Sequence, residues 1–244
     1  METSLHRALK VHYASSKAQT EIRVDSFRID AIDKQGRLVE VQHAGLGSIR
    51  SKIARLLQDH PVRVIKPLVR SKCIRRLDPL SGQVLSRRRS PKQAGPLDVF
   101  SEMLHFTTVF PHPRLQLEIP LVDVEEDRVD RPHRYRRKRQ YRVLDQKLLG
   151  IHEIMVLSTA EDLWRLTGNP SLPGTFDTRQ LAETIGRPRW FAQQVAYVLQ
   201  RCGTIQVMGK SGNSKLYKYL APRRPPSIGK RPTSKCPTSK RPAA

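Results

Sequence analysis

The sequence predicts an α/β chain of the α+β kind: a first domain with a mixed central sheet, a small helix-turn-helix unit with a hairpin, and a basic tail. Three observations predict it. Between residues 20 and 68, short runs of alternating apolar and polar residues bracket a single stretch with helical spacing. Between residues 176 and 219, two helical runs joined at a glycine are followed by two β-type runs around a glycine-rich turn. Beyond residue 222 all periodicity stops and Lys, Arg, Pro, Ser and Thr take over.

In chain order, Ser4 to about Tyr13 brings Leu5, Leu9 and His12 near one face, which predicts an opening helix. Glu21-Ile22-Arg23-Val24 and Phe27-Arg28-Ile29-Asp30-Ala31-Ile32 alternate as strands do. Asp33-Lys34-Gln35-Gly36 is turn chemistry and the run Arg37 to Gln42 alternates again, so a hairpin is expected. Ile49, Ile53, Leu56 and Leu57 recur at helical intervals, and Pro61 to Leu68 is an apolar strand bounded by prolines. A basic hairpin follows over Cys73 to Arg89, turning at Asp78-Pro79-Leu80-Ser81-Gly82. Next come an amphipathic helix over Leu97 to Phe110, a strand over Leu115 to Val124, and an arginine-rich loop or strand lip from Arg131 to Arg142. Ser158-Thr159-Ala160-Glu161 fits a capping box and opens a new helix. The expected division is therefore 1–157, 158–220 and a disordered tail over 221–244.

In the second unit, Gln180 to Ile185 forms a short helix stopped by Gly186, and Pro188 starts a longer one running to Cys202. Thr204 to Met208 and Lys215 to Tyr219 then flank Gly209-Lys210-Ser211-Gly212-Asn213. This order of elements resembles the winged-helix family over roughly Ala160 to Leu220. The resemblance implies that the second helix enters the major groove of DNA while the hairpin meets phosphate. Arg187, Arg189, Gln193 and Gln194 are then groove candidates, and Lys210 and Lys215 phosphate candidates. Trp190, Phe191, Val195, Val198 and Leu199 are read as core. A winged helix that pairs with another protein instead of DNA is the competing reading.

Charge points the same way. The chain carries 45 Lys and Arg against 22 Asp and Glu, a net +23 concentrated in three runs. They are Arg87 to Lys92, Arg131 to Arg142, and the tail from Arg223 to Arg241. Like charges packed so densely repel unless a polyanion neutralises them, so nucleic acid is the expected partner. No run is long and apolar enough for a membrane span, and the opening residues lack the pattern of a secretory signal. Cys73, Cys202 and Cys236 have no C-x-x-C spacing, against a disulfide framework or zinc site. A cytoplasmic, nucleoid-associated protein is expected, with no membrane partner.

Asp30 and Glu40 sit on neighbouring strands of the predicted hairpin, and Gln42 shares the face of Glu40 by strand alternation. If register brings the carboxylates together, a hard divalent cation would relieve their repulsion. An exposed, functionless hairpin edge is the plain alternative. The succession helix, strand, strand with Asp, strand with Glu-x-Gln, helix, strand over Leu5 to Leu68 resembles the PD-(D/E)xK nuclease superfamily. The resemblance also extends to bacterial proteins of unknown function that join such a domain to a winged helix. It implies magnesium, or manganese in its place, held by Asp30 and Glu40 and activating water against a phosphodiester of duplex or branched DNA. Gln42 replaces the usual lysine; it can orient water or phosphate but adds no charge, and Lys52 or Lys66 could supply the cation from elsewhere. Glu2 or Glu21 could supply a further carboxylate, although each reads first as surface charge, and the eight histidines, His6 and His43 among them, show no ligand spacing. The alternative from another class is a non-catalytic DNA-binding regulator with a degenerate nuclease fold.

Overall fold

The computed structural model describes residues 2–16, 20–131, 140–168 and 170–220. It is an α+β fold built on a mixed sheet. Helix α1 (Ser4–Tyr13) is capped by Thr3, whose hydroxyl accepts from the His6 N–H. Strands β1 (Thr20–Val24), β2 (Phe27–Ile32) and β3 (Leu38–Val41) form an antiparallel meander. Its second turn is closed by Asp33, which accepts from the N–H groups of Gln35 and Arg37, and by Gly36 at φ +75°. After a 3-10 turn at Leu46–Ile49 come α2 (Arg50–Leu56) and β4 (Val62–Ile65), which pairs parallel with β3. The expected strand to Leu68 ends early, because Lys66-Pro67 interrupts the ladder and the chain resumes as β5 (Leu68–Leu77).

β5 and β6 (Val84–Arg89) form the expected basic hairpin. The helix expected to reach Phe110 is confined to a 3-10 turn at Pro96–Asp98 and α3 (Val99–Met103). Its β-branched residues Thr107, Thr108 and Val109, with Pro111 beyond, favour successive turns over a continued helix. β7 (Leu115–Asp130) is longer than expected, and β8 (Tyr141–Leu157) is a strand the periodicity did not reveal. β4 and β5 both pair parallel with β7 on one side, while β8 runs antiparallel along the other. The sheet order is β1-β2-β3-β4-β7-β5-β6, with β8 joined to β7.

Helix α1 packs Leu5, Leu9 and Tyr13 on one sheet face against Ala31, Val39, Val41, Ile65, Val122 and Val124. The opposite face carries the larger core, with Ile53 and Leu56 of α2, Phe100 and Met103 of α3, and Phe106. That core continues into the C-terminal unit of α4 (Ala160–Leu166), α5 (Thr178–Ile185), α6 (Arg189–Arg201), β9 (Ile205–Ser211) and β10 (Ser214–Tyr219). Residue 158 therefore marks a change of architecture and no break in the core. The cap of α4 is Thr159 with Asp162, one residue later than expected. α5 begins at its Asp177 cap and ends on Gly186 at φ +63°. On α6, Phe191, Val195, Val198 and Leu199 are buried, but Trp190 is 61% exposed. It lies one residue, about 100° of helical turn, away from that buried stripe. The β9–β10 hairpin turns at Gly212-Asn213, tighter than expected, so Lys210 and Lys215 lie in paired strands.

Most of the Arg131–Arg142 run and all of the tail lie outside the described residues. Among the described residues, Cys73 and Cys202 are free thiols and no helix is long and apolar enough to cross a membrane.

Candidate functional site

Asp30 and Glu40 lie at the end of the β2–β3 ladder, Asp30 bonded toward α1 and Glu40 toward α2. The paired residues are Ala31↔Val39 and Ile32↔Leu38, and continuing that register by one step would set Asp30 across from Glu40. There the Asp30 carboxylate accepts from the Val41 N–H at 2.8 Å, tying the side chain across to β3. Its other oxygen faces α1, 3.2 Å from His6 Nε2 and 3.5 Å from Lys10 Nζ. Glu40, buried, is met from the opposite layer by Lys52 of α2 at 2.6 Å, and the same ammonium donates to the Arg28 carbonyl. Each carboxylate is thus attended by a cation from a different layer.

The two carboxylates sense each other. Burial pushes the Glu40 pKa above its ordinary value and the Asp30 charge adds to the rise, with Lys52 opposing. Burial acts on Asp30 in the same sense, but bonds from His6 and Val41 with the charges of His6 and Lys10 prevail, and its pKa is lowered. Lys10 gathers two more acids, lying 2.8 Å from both Glu2 and Glu21. Burial lowers its pKa, but bonds to these two acids outweigh burial and the net shift is upward. A cleft of about 550 Å³ opens here, lined by residues including Glu2, His6, Lys10, Glu21, Arg28 and His43.

His43 completes the group. Its ring lies 5.3 Å from that of His6, and its buried Nε2 has no hydrogen-bond partner among the described residues. Burial, then the charges of His6 and Lys66, hold its pKa down at about 4, so it is neutral near pH 7. Sequence reasoning missed His6 and His43, and set Glu2 and Glu21 behind a surface-charge reading, because their grouping depends on α1 crossing the strand ends. The nearest local signal was the position of His43 just after Glu40 and Gln42.

Two expected residues are placed elsewhere. The Gln42 amide donates to the Gly45 carbonyl and the Ser48 hydroxyl, so it fastens the turn before α2. Lys66 is buried and donates to the carbonyls of His43 and Ala44, with Glu102 at 3.3 Å. Burial lowers its pKa and Glu102 offsets part of that shift. Among the described residues no group of three or more His, Cys, Asp or Glu side chains is arranged to hold a metal ion. A cation at Asp30 and Glu40 would therefore complete its shell with water and phosphate, which is how magnesium commonly binds.

In the C-terminal unit, Gln194 bonds to Ser101 of α3 at 3.0 Å and Arg187 pairs with Asp98 at 3.6 Å while lying over Phe191. Both are turned toward the first domain, because α6 packs on α3 there. Arg189 bonds to Thr178 and Ser214, linking α5, α6 and the hairpin, and Gln193 is exposed. Lys210 and Lys215 are directly paired across the hairpin, exposed and without an ion pair among the described residues. Trp190 and Tyr197 add exposed aromatic rings to the outer face of α6.

Residues 3–158 match the family described as Domain of unknown function (DUF8091). The chain belongs to that family. It is also 29% identical over 228 residues to an uncharacterized protein of Treponema pallidum (strain Nichols), covering 92% of this chain and 89% of the relative. That similarity runs past the DUF8091 region, so the relative shares the C-terminal unit too. No solved structure matches the chain.

Proposed function

We propose that this is a DNA-binding protein of PD-(D/E)xK nuclease type, a metal-dependent phosphodiesterase whose C-terminal unit is a winged helix that places the DNA. The observation that carries the reading is the Asp30–Glu40 pair at the end of the ladder, with Lys52 on Glu40. Lys52 restores, from α2, the cation that Gln42 does not provide. Magnesium bound there would polarise the scissile phosphate and acidify a water. Asp30 and Glu40 would hold the ion, with His6 and Lys10 fixing the Asp30 carboxylate. Lys52 would release Glu40 toward the metal and turn its charge to the phosphate. Neutral His43, whose buried Nε2 has no partner among the described residues, stands beside His6 as a hydrogen-bonding group.

On the nucleic-acid side, Arg189, Gln193, Lys210 and Lys215 remain the contact candidates, joined by Trp190 and Tyr197. Arg187 and Gln194 would have to leave their partners on α3 and its 3-10 turn to take part. A second reading is favoured by a specific observation: both carboxylates already have cationic partners, Lys52 at Glu40 and Lys10 at Asp30, as in a site that has become structural. In that case the protein binds DNA without cutting it.

The test is incubation of purified protein with single-stranded, duplex and branched DNA in magnesium or manganese. Metal-dependent cutting that falls at least about a hundredfold in Lys52→Met, in the range for loss of a group acting in the transition state, supports the nuclease. Binding without cutting of any substrate leaves the non-catalytic reading.

A further inference from the structure

The β5–β6 ribbon is built in a way its own stability does not call for. Every residue from Pro79 to Arg89 is exposed, so β6 covers no core. The ribbon places Arg75 opposite Arg87, Ile74 opposite Arg88 and Cys73 opposite Arg89. Facing like charges destabilise a hairpin unless they are neutralised. Neutralisation stops part-way. Buried acids of β7 take up the inner cations: Asp127 holds Arg75 at 2.7 Å, Glu126 holds Lys72 and Arg128, and Glu125 reaches Arg87 at 3.2 Å. Asp130 holds Arg76. Arg88 and Arg89 have no ion pair among the described residues.

The tip is apolar and fixed. Leu80 is 96% exposed, and Val84 and Leu85 are each more than half exposed. Asp78 accepts from the N–H groups of Leu80 and Ser81 and from the Ser81 hydroxyl, while Gly82 closes the turn at φ +71°. Pro79 precedes Leu80 and restricts the backbone further. An exposed leucine held on a rigid turn, between strands studded with arginine on both faces, matches what a duplex offers: phosphate on either side of a groove and stacked bases within it.

We propose that the β5–β6 ribbon is a second DNA-binding element, in which Arg88 and Arg89 grip backbone phosphates and the Pro79-Leu80 tip wedges between base pairs and bends the duplex. The proposal rests on the nucleic-acid reading above and names a surface that reading does not use. An acidic lipid surface suits the ribbon less well, since arginines on both faces leave no continuous apolar side to enter a bilayer.

The test uses full-length protein with an end-labelled duplex. Binding is followed between 50 and 200 mM salt and bending by energy transfer between the ends. Wild type should bend the duplex by roughly 20–90°. The double variant Arg88→Ala/Arg89→Ala should lower the slope of log K against log salt by about 1.8, at roughly 0.9 per lost phosphate contact, which is about twelvefold less salt sensitivity over that interval. Leu80→Ser should abolish the bend and leave the slope unchanged. All three side chains are exposed and contact no core, so both variants keep the wild-type circular dichroism spectrum. An unchanged slope or bend in variants of a protein that does bind DNA overturns the ribbon alone. Binding to vesicles of acidic lipid that is lost in Leu80→Ser also overturns it. Absence of any DNA binding by wild type would overturn the nucleic-acid reading and the ribbon together.

Discussion

Replacing Lys52 with Met removes the ammonium that meets Glu40 at 2.6 Å, while keeping most of the side chain's volume. The Glu40 side chain is 10% exposed and that of Lys52 20%. Stranding one member of a buried pair costs about 3–5 kcal/mol, and the partial exposure of Lys52 sets the expectation at about 3 kcal/mol, the low end. For a chain of this size that lowers Tm by roughly 6–12 °C. The pH dependence is specific. Burial already holds the Glu40 pKa above its ordinary value, and loss of Lys52 raises it further. A carboxyl whose folded pKa exceeds its unfolded one opposes folding only when ionised. The penalty is therefore absent below the unfolded pKa and complete above the folded one. Urea unfolding followed by circular dichroism should show a small deficit near pH 4 that grows toward pH 7. Adding Glu40→Gln should recover most of the loss, because no lone buried charge remains. A deficit that is the same at both pH values, or that Glu40→Gln leaves in place, would refute the reasoning.

Phe106→Ala removes a fully buried ring from the core shared by both units and should cost about 3–5 kcal/mol. Tryptophan fluorescence, reporting Trp164 and Trp190, and far-UV circular dichroism should give one coincident unfolding transition; two separated transitions would contradict the continuous core. Asp33 is buried and paired with Arg37 and Arg63. Burial would raise its pKa, but the Arg37 N–H and guanidinium hold it below the ordinary value. Its stabilisation is present above the unfolded pKa and lost as pH falls through the folded one, so Asp33→Asn should be destabilised at pH 7 and approach wild type in acid. In the C-terminal unit, Arg189→Ala/Lys210→Ala/Lys215→Ala should lower the salt slope of DNA binding by about 2–3, and unchanged affinity would remove this surface from the account.

Local chemistry is what made parts of the fold legible. Asp33 to Gly36 fixes its turn with its own atoms, and Gly186 and Pro188 mark helix ends whatever surrounds them. Periodicity likewise placed α1 and α2, and turn chemistry at Asp78 to Gly82 the β5–β6 hairpin. It failed where distant partners decide burial. Glu125, Glu126 and Asp127 lie beyond the expected strand end at Val124 yet are buried in β7, because Lys72, Arg75 and Arg87 of the neighbouring hairpin, with Arg128, neutralise them. β8 escaped notice because one face is largely open to solvent and bulges repeatedly shift its alternation. At the candidate site, the carboxylate pair followed from hairpin register, whereas the placement of Lys52, His6 and His43 required the helices to be docked.

The central claim is that Asp30 and Glu40 jointly hold a metal ion that acts on a phosphodiester. It is tested most directly by measuring magnesium- or manganese-dependent DNA cleavage and DNA affinity side by side for wild type and Asp30→Ala. The account predicts that wild type cuts, that Asp30→Ala does not, and that the variant binds DNA at least as tightly because a negative charge beside phosphate is gone. Equal cleavage by both proteins, or wild type that binds DNA but cuts nothing with either metal, would contradict it.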